Sequence, residues 1–273
     1  MRRWYRYPLV SIVGCPAIIP GPGERCLTFG GTRAGKSALD ESRIGTIQVT
    51  RPDAMIIIID SKPRFRAETI PMPMMPKRRK SAHHLYESWA KGPVVPNSVR
   101  MDIWSDRPFL GLFNIPGEVA IMQSGDASDW RHMLVLVDSF VRAQIKGRER
   151  LVAVDEALDF YQRNSWSITP TNDPFYRTAR AGGERNIGLM LGAHQVAGIP
   201  PLVLKMASRY TLFHLRDEKD MKKLNEVGIP DDLSPEGDYV FKQWTVAPGG
   251  TISPPVTAKL NLPQSYLDQL AET

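Results

Sequence analysis

Short, nearly unbroken apolar runs alternate along this chain with longer helix-like stretches of mixed polarity. The runs RCLTFGG (25–31), AMIIIID (54–60), RLVAVDEA (150–157), NIGLMLGAH (186–194) and YTLFHL (210–215) predict strands. Their Ile, Val and Leu content suits strands covered on both faces. Helices are predicted at about 36–45, 128–146, 174–183, 201–208 and 217–226. The alternation is that of an α/β protein, a mostly parallel central sheet flanked by helices. After Pro235, strand-like DYVFKQWTV, an APGG turn, PPVTAKLNL and a short helical end read as an edge extension packed on the same domain. One domain over 1–273 is therefore expected. PMPMMPKRRKSAHH (71–84) breaks the pattern with three prolines and four consecutive cations, and predicts an exposed loop.

Composition narrows the class. With 273 residues, 42% hydrophobic and 23% charged, the chain can bury a sizeable core, which argues against disorder. Lys and Arg exceed Asp and Glu by 35 to 29, a net +6 that favours an anionic partner, nucleic acid first and a membrane surface second. Lys77, Arg78, Arg79 and Lys80 form the densest basic run, readable as a pore lining or as a solvated loop. Cys15 and Cys26 are too few for a disulfide scaffold and read as buried thiols in a reducing compartment. No apolar run approaches the ~20 residues that cross a bilayer, and the basic start breaks off too early for a signal peptide. A soluble intracellular protein is expected.

The chemistry concentrates at three strand ends. Gly30, Gly35, Lys36 and Ser37 fit G-x-x-x-x-G-K-[ST] between a predicted strand and a predicted helix. There, small residues let backbone N–H groups wrap phosphates at a helix N-terminus. Gly30, Gly31, Thr32, Arg33, Ala34, Gly35, Lys36, Ser37 and Ala38 are the expected nucleotide contacts. Lys36 would hold the β and γ phosphates, and Ser37 would bind Mg²⁺. LVAVDEA sets Asp155 and Glu156 at the C-terminal end of a buried strand, the edge where α/β sheets gather ligand groups. Asp155 would support the Mg²⁺ shell, and Glu156 would orient and polarise the attacking water. Gln195 ends another strand, where it could reach the γ-phosphate or the water and sense hydrolysis. His194 beside it reads as a satisfied structural histidine, with no zinc-type spacing to the other histidines.

The order of these motifs resembles the FtsK/HerA superfamily of DNA-pumping ATPases. IIIIDSK is similar to the Asp-x-Lys strand ending of HerA-like and conjugative coupling ATPases. ARAGGERNIGLMLGAHQVAGIPPLVLKMASRYTLFHLRDEKDMKKL resembles their arginine-bearing helix, glutamine-ended strand, proline turn and final strand–helix pair with its D-x-x-D. The likeness covers about residues 25–230. It departs in two places: His194 stands where Thr or Ser is usual, and Arg33 and Ala34 stand where Gly and Ser are frequent.

The resemblance implies a RecA-like P-loop NTPase in which the Gln195 strand lies between the phosphate-loop strand and the Glu156 strand. It implies ATP and Mg²⁺ as cofactors and a hexameric ring around double-stranded DNA. It also implies an arginine reaching the γ-phosphate from the neighbouring subunit, with Arg180 the first candidate, Arg185 the second and Arg177 the third. A bare motor of this length is most similar to the genome-packaging ATPases of membrane-containing icosahedral viruses. Capsid or viral membrane vertex proteins then become partners, and host cytoplasm or the virion vertex the location. A cellular HerA-like translocase, a Zot-like phage assembly ATPase and a nucleotide-dependent scaffold without turnover are the alternatives.

Overall fold

The computed structural model describes residues 11–13, 19–51, 54–60, 98–102, 119–123, 149–164, 173–230 and 235–262. Within them one sheet contains ten strands: β1 (Ser11–Val13), β2 (Arg25–Phe29), β3 (Met55–Asp60), β4 (Ser98–Asp102), β5 (Val119–Gln123), β6 (Arg150–Val154), β7 (Ile187–Ala193), β8 (Arg209–Leu212), β9 (Val240–Thr245) and β10 (Val256–Asn261). The spatial order is β1-β10-β9-β8-β2-β7-β6-β3-β5-β4. From β8 to β4 every neighbouring pair is parallel, whereas β9, β10 and β1 add antiparallel strands at one edge. The sheet is thus mostly parallel and flanked by helices, and β7 lies between β2 and β6 as the resemblance implied.

The unbroken apolar runs are explained by two covered faces. Leu27, Phe29, Ile57, Ile59, Val152, Val154, Leu189 and Leu191 point into one core, while Cys26, Ile56, Ile58, Leu151, Ala153 and Met190 point into another. This is the period-two alternation of a strand with apolar residues on both sides. Helix α1 (Lys36–Thr50) covers the second face with Ile44 and Ile47. The first face is covered by α2 (Ala157–Asn164), α3 (Pro174–Ala181), α4 (Pro201–Lys205) and α5 (Glu218–Asn225), through Leu158, Phe160, Phe175, Ala179, Val203, Leu204 and Leu224. Phe160, Tyr161 and Phe175 meet edge to face. Asp173 starts α3 by accepting from the N–H groups of Phe175 and Tyr176, with Pro174 in the first turn.

Several boundaries differ from the sequence expectation. Helix α1 continues past Gly45 to Thr50 because Ile44 and Ile47 are both fully buried, and that packing outweighs a mid-helix glycine. β6 stops at Val154, and Ala157 opens α2, a helix the pattern did not predict. Its apolar residues Ala157, Leu158, Phe160 and Tyr161 do fall at helical i, i+3 and i+4 spacing, but a single such turn directly after an apolar strand reads as the strand's continuation. β1, β4 and β5 were also not predicted; they are short strands at or near the two edges of the sheet. The predicted helix at 128–146, the basic loop at 71–84 and Cys15 lie outside the described residues. Cys26 is buried, and burial pushes its thiol up to about 12. Among the described residues, no helix is long and apolar enough to cross a membrane.

Candidate functional site

Everything the motifs single out for phosphate and water chemistry meets at one edge of the sheet, at the C-terminal ends of β2, β6 and β7. The chain leaves β2 at Phe29 and turns through residues 30–35 into α1 at Lys36. Gly30 is required by close approach, since a Cβ there would lie 2.5 Å from Cβ of Phe213. Gly35 has φ +107° and faces Leu260 and Tyr239 at 3.0 Å from where its Cβ would stand, so the C-terminal extension packs against the loop. Arg33 also adopts a left-handed conformation, φ 63°, a position that favours glycine and costs a side-chain-bearing residue about 1 kcal/mol.

The loop suits an anion. Helix α1 begins without a side-chain cap and without an acidic residue in its first turn, so its positive end is not neutralised by a carboxylate of its own. Lys36 is buried and donates from Nζ to the carbonyls of Gly30 at 2.7 Å and Gly31 at 3.0 Å, which draws its ammonium across the loop. Gly31 N–H donates to the His214 carbonyl at 3.2 Å, tying the loop to the end of β8. Thr32 and Arg33 are exposed, Ala34, Gly35 and Ser37 half-buried, and Ala38 buried.

Two carboxylates stand beside it. Ser37 donates its hydroxyl to Oδ1 of Asp155 at 2.7 Å, bridging α1 and the end of β6. Glu156, the next residue, is buried and turns towards β7, where its Oε2 lies 3.0 Å from Nδ1 of His194 and its Oε1 accepts from the His194 N–H at 3.4 Å. Asp155 and Glu156 therefore have different partners although adjacent: the hydroxyl of the phosphate loop for one and the glutamine-bearing strand for the other.

Gln195 is exposed, and the backbone after it is gripped by α5. Buried Asp220 accepts from the N–H groups of Val196 at 2.8 Å and Ala197 at 2.7 Å. Lys223 donates to the carbonyls of Ala197 and Ile199, and burial lowers its pKa. Asp217 caps α5 by accepting from Lys219 N–H at 2.8 Å. The two aspartates of the D-x-x-D thus divide the work: one starts the helix and the other holds the loop behind Gln195.

Behind the phosphate loop lies a buried polar cluster that the sequence reading missed. Arg43, fully buried on α1, donates to Thr28 Oγ1 at 2.9 Å, Asp40 Oδ1 at 3.1 Å and Thr211 Oγ1 at 2.8 Å, joining α1 to β2 and β8. Burial, with a smaller contribution from nearby Asp155, raises the Asp40 carboxyl to about 6 against the pull of Arg43. The only signal for this cluster was an i, i+3 Asp–Arg pair on a predicted helix, which surface helices also carry.

No protein-family model matches the chain, and no curated protein does. Among solved structures it is similar to the genome packaging NTPase from Sulfolobus turreted icosahedral virus 2 in complex with ATP-gammaS, at 15% identity over 89% of this chain and 100% of that one, with a TM-score of 0.54. It is also similar to the DNA-packaging ATPase from Sulfolobus Turreted Icosahedral Virus, at 14% identity over 89% and 100%, with a TM-score of 0.53. The fold is that of a P-loop NTPase. At such low identity the likeness is one of fold.

In this P-loop NTPase fold the candidate arginines stand apart from the loop. Arg180 is exposed in the last turn of α3, and exposed Arg185 ends the 3₁₀ turn Gly183–Arg185 just before β7. Both lie at the N-terminal edge of the sheet, since β7 begins at Ile187 and runs parallel to β2. A five-residue strand spans roughly 15 Å, more than an arginine side chain, so neither reaches the phosphate loop of its own chain. Arg177 is half-buried within α3. Asp60 ends β3, and Lys62 lies outside the described residues.

Proposed function

We propose that this chain is an ATP hydrolase that drives double-stranded DNA into a preformed viral capsid. The observation that carries the reading is the 2.7 Å bond between Ser37 and Asp155, because it brings the hydroxyl of the phosphate loop against the carboxylate preceding Glu156. In this reading the backbone of Gly30 through Ala38 and the Lys36 ammonium bind the triphosphate, neutralising its charge at the start of α1. Ser37 and Asp155 hold Mg²⁺, which when bound withdraws charge from the phosphate oxygens. Glu156 accepts a hydrogen bond, and then the proton, from the attacking water. Gln195 orients that water or the γ-phosphate, and the grip of Asp220 on Val196 and Ala197 keeps the following loop in place.

Arg180 and Arg185 face the wrong edge to serve their own site, which supports a role in trans across a ring, most simply a hexamer. The whole chain acts as one domain, with the motor at 25–230. Net charge +6 supplies attraction to the DNA backbone without reading its sequence. Capsid or membrane-vertex proteins would dock the ring at the virion from the host cytoplasm.

The experiment is phosphate release with and without duplex DNA, for wild type and Glu156→Gln. Turnover that rises with duplex DNA, with Glu156→Gln still binding ATP but turning it over at least about a hundredfold more slowly, agrees with the reading. Full turnover by Glu156→Gln removes Glu156 from the chemistry. Nucleotide binding with no turnover in wild type, with or without DNA, favours a scaffold instead.

A further inference from the structure

Resting on the reading of Glu156 as the hydrolytic base, we propose that His194 is a positioning residue which sets the orientation of that carboxylate. Glu156 is buried at the end of β6, and a carboxylate so placed keeps one rotamer only if its oxygens have fixed donors. His194 supplies both observed ones, Nδ1 at 3.0 Å from Oε2 and its backbone N–H at 3.4 Å from Oε1. An ionised carboxylate only accepts, so the proton of this bond sits on Nδ1. Either the neutral Nδ1–H tautomer or the imidazolium can donate it, and the contact does not depend on which is present.

The backbone N–H of residue 194 is available whatever the side chain. A Thr or Ser there would have no nitrogen at the place of Nδ1, so this contact depends on the imidazole. Its side chain is 39% exposed, whereas that of Glu156 is 7% exposed, so the histidine reaches inward from the rim of the site. Because Gln195 follows directly, any shift of this strand end moves the donor of Glu156 together with the Gln195 side chain. His194 thereby links the group that activates water to the group that senses phosphate.

The test uses the full chain with His194→Ala, His194→Asn and His194→Gln. An Asn amide can put a donor near the position of Nδ1, whereas Gln places its amide near that of Nε2. His194→Ala should lower kcat about tenfold with KM and the affinity for a fluorescent ATP analogue unchanged. His194→Asn should recover most of the loss and His194→Gln little. Full kcat in His194→Ala, or equal recovery by Asn and Gln, overturns the proposal.

A double-mutant cycle with Glu156→Gln separates it from the reading on which it rests. If Glu156→Gln is slow and adding His194→Ala slows it no further, the histidine acts through Glu156. Independent, multiplying losses overturn the positioning role while leaving Glu156 as the base. Full turnover in Glu156→Gln, with loss in His194→Ala, overturns both.

Discussion

Ser37 on α1 and Asp155 at the end of β6 are hydrogen-bonded at 2.7 Å although 118 positions separate them. In the function proposed above, a divalent cation would be held by this loop hydroxyl and strand-end carboxylate. Asp155→Asn keeps the size and removes the charge. It should raise the Mg²⁺ concentration needed for half-maximal hydrolysis about tenfold or more, read by titrating Mg²⁺ at fixed ATP. An unchanged Mg²⁺ dependence in Asp155→Asn would exclude it from the metal shell.

The Asp220 clamp predicts a stability effect with a defined order. Asp220→Ala leaves the buried N–H of Val196 without its acceptor, at about 1–3 kcal/mol, and returns the part-buried N–H of Ala197 to water at a smaller cost. Asp220→Asn retains an amide oxygen and should lose less. Denaturant midpoints should therefore fall in the order wild type, Asn, Ala. If the Ala variant unfolds within about 0.5 kcal/mol of wild type, the clamp does not hold the loop.

Asp40 predicts a pH dependence of folding. Its carboxyl is raised by burial from an ordinary 3.8 to about 6, so in that interval the folded protein keeps a proton that the unfolded chain has released. Stability from this group is therefore greatest below pH ~4 and falls as pH rises through ~6. Measured against Asp40→Asn, wild type should lose on the order of 3 kcal/mol between those values, the upper end for a carboxyl paired with Arg43. Parallel stability curves for the two proteins from pH 4 to 7 would contradict the raised value.

Arg180 and Arg185 predict complementation between subunits. Arg180→Ala and Glu156→Gln chains, each slow alone, should recover part of their hydrolysis when mixed in one ring. Recovery arises where an intact Arg180 faces an intact Glu156. Rings shown to be mixed that gain nothing count against action in trans, and full activity of Arg180→Ala alone transfers the role to Arg185.

Local chemistry explains which parts of this architecture could be read from the chain. The phosphate loop and the Asp155–Glu156 pair occupy contiguous residues whose backbone geometry follows from short-range sterics and from an apolar run ending in charge. Five of the parallel strands were legible for the same reason, because burial on both faces leaves long apolar runs. Short strands at or next to an edge, such as β4 and β5, carry weaker signals, and α2 was hidden behind an apolar cluster that continued the strand before it.

What the chain by itself determined was therefore the α/β class, the loop at 30–37 and the strand-end groups Asp155, Glu156 and Gln195. Only the tertiary structure decided what those groups touch. Glu156 and His194 are 38 positions apart, and Asp220 reaches back 24 positions to Val196, so neither pairing leaves a periodic trace. Arg43 looks like a surface helix residue until β2 and β8 enclose it with Thr28 and Thr211. These contacts depend on which remote strands become neighbours in the parallel order β8-β2-β7-β6, and that order is set by burying both faces of the sheet at once rather than by any local preference.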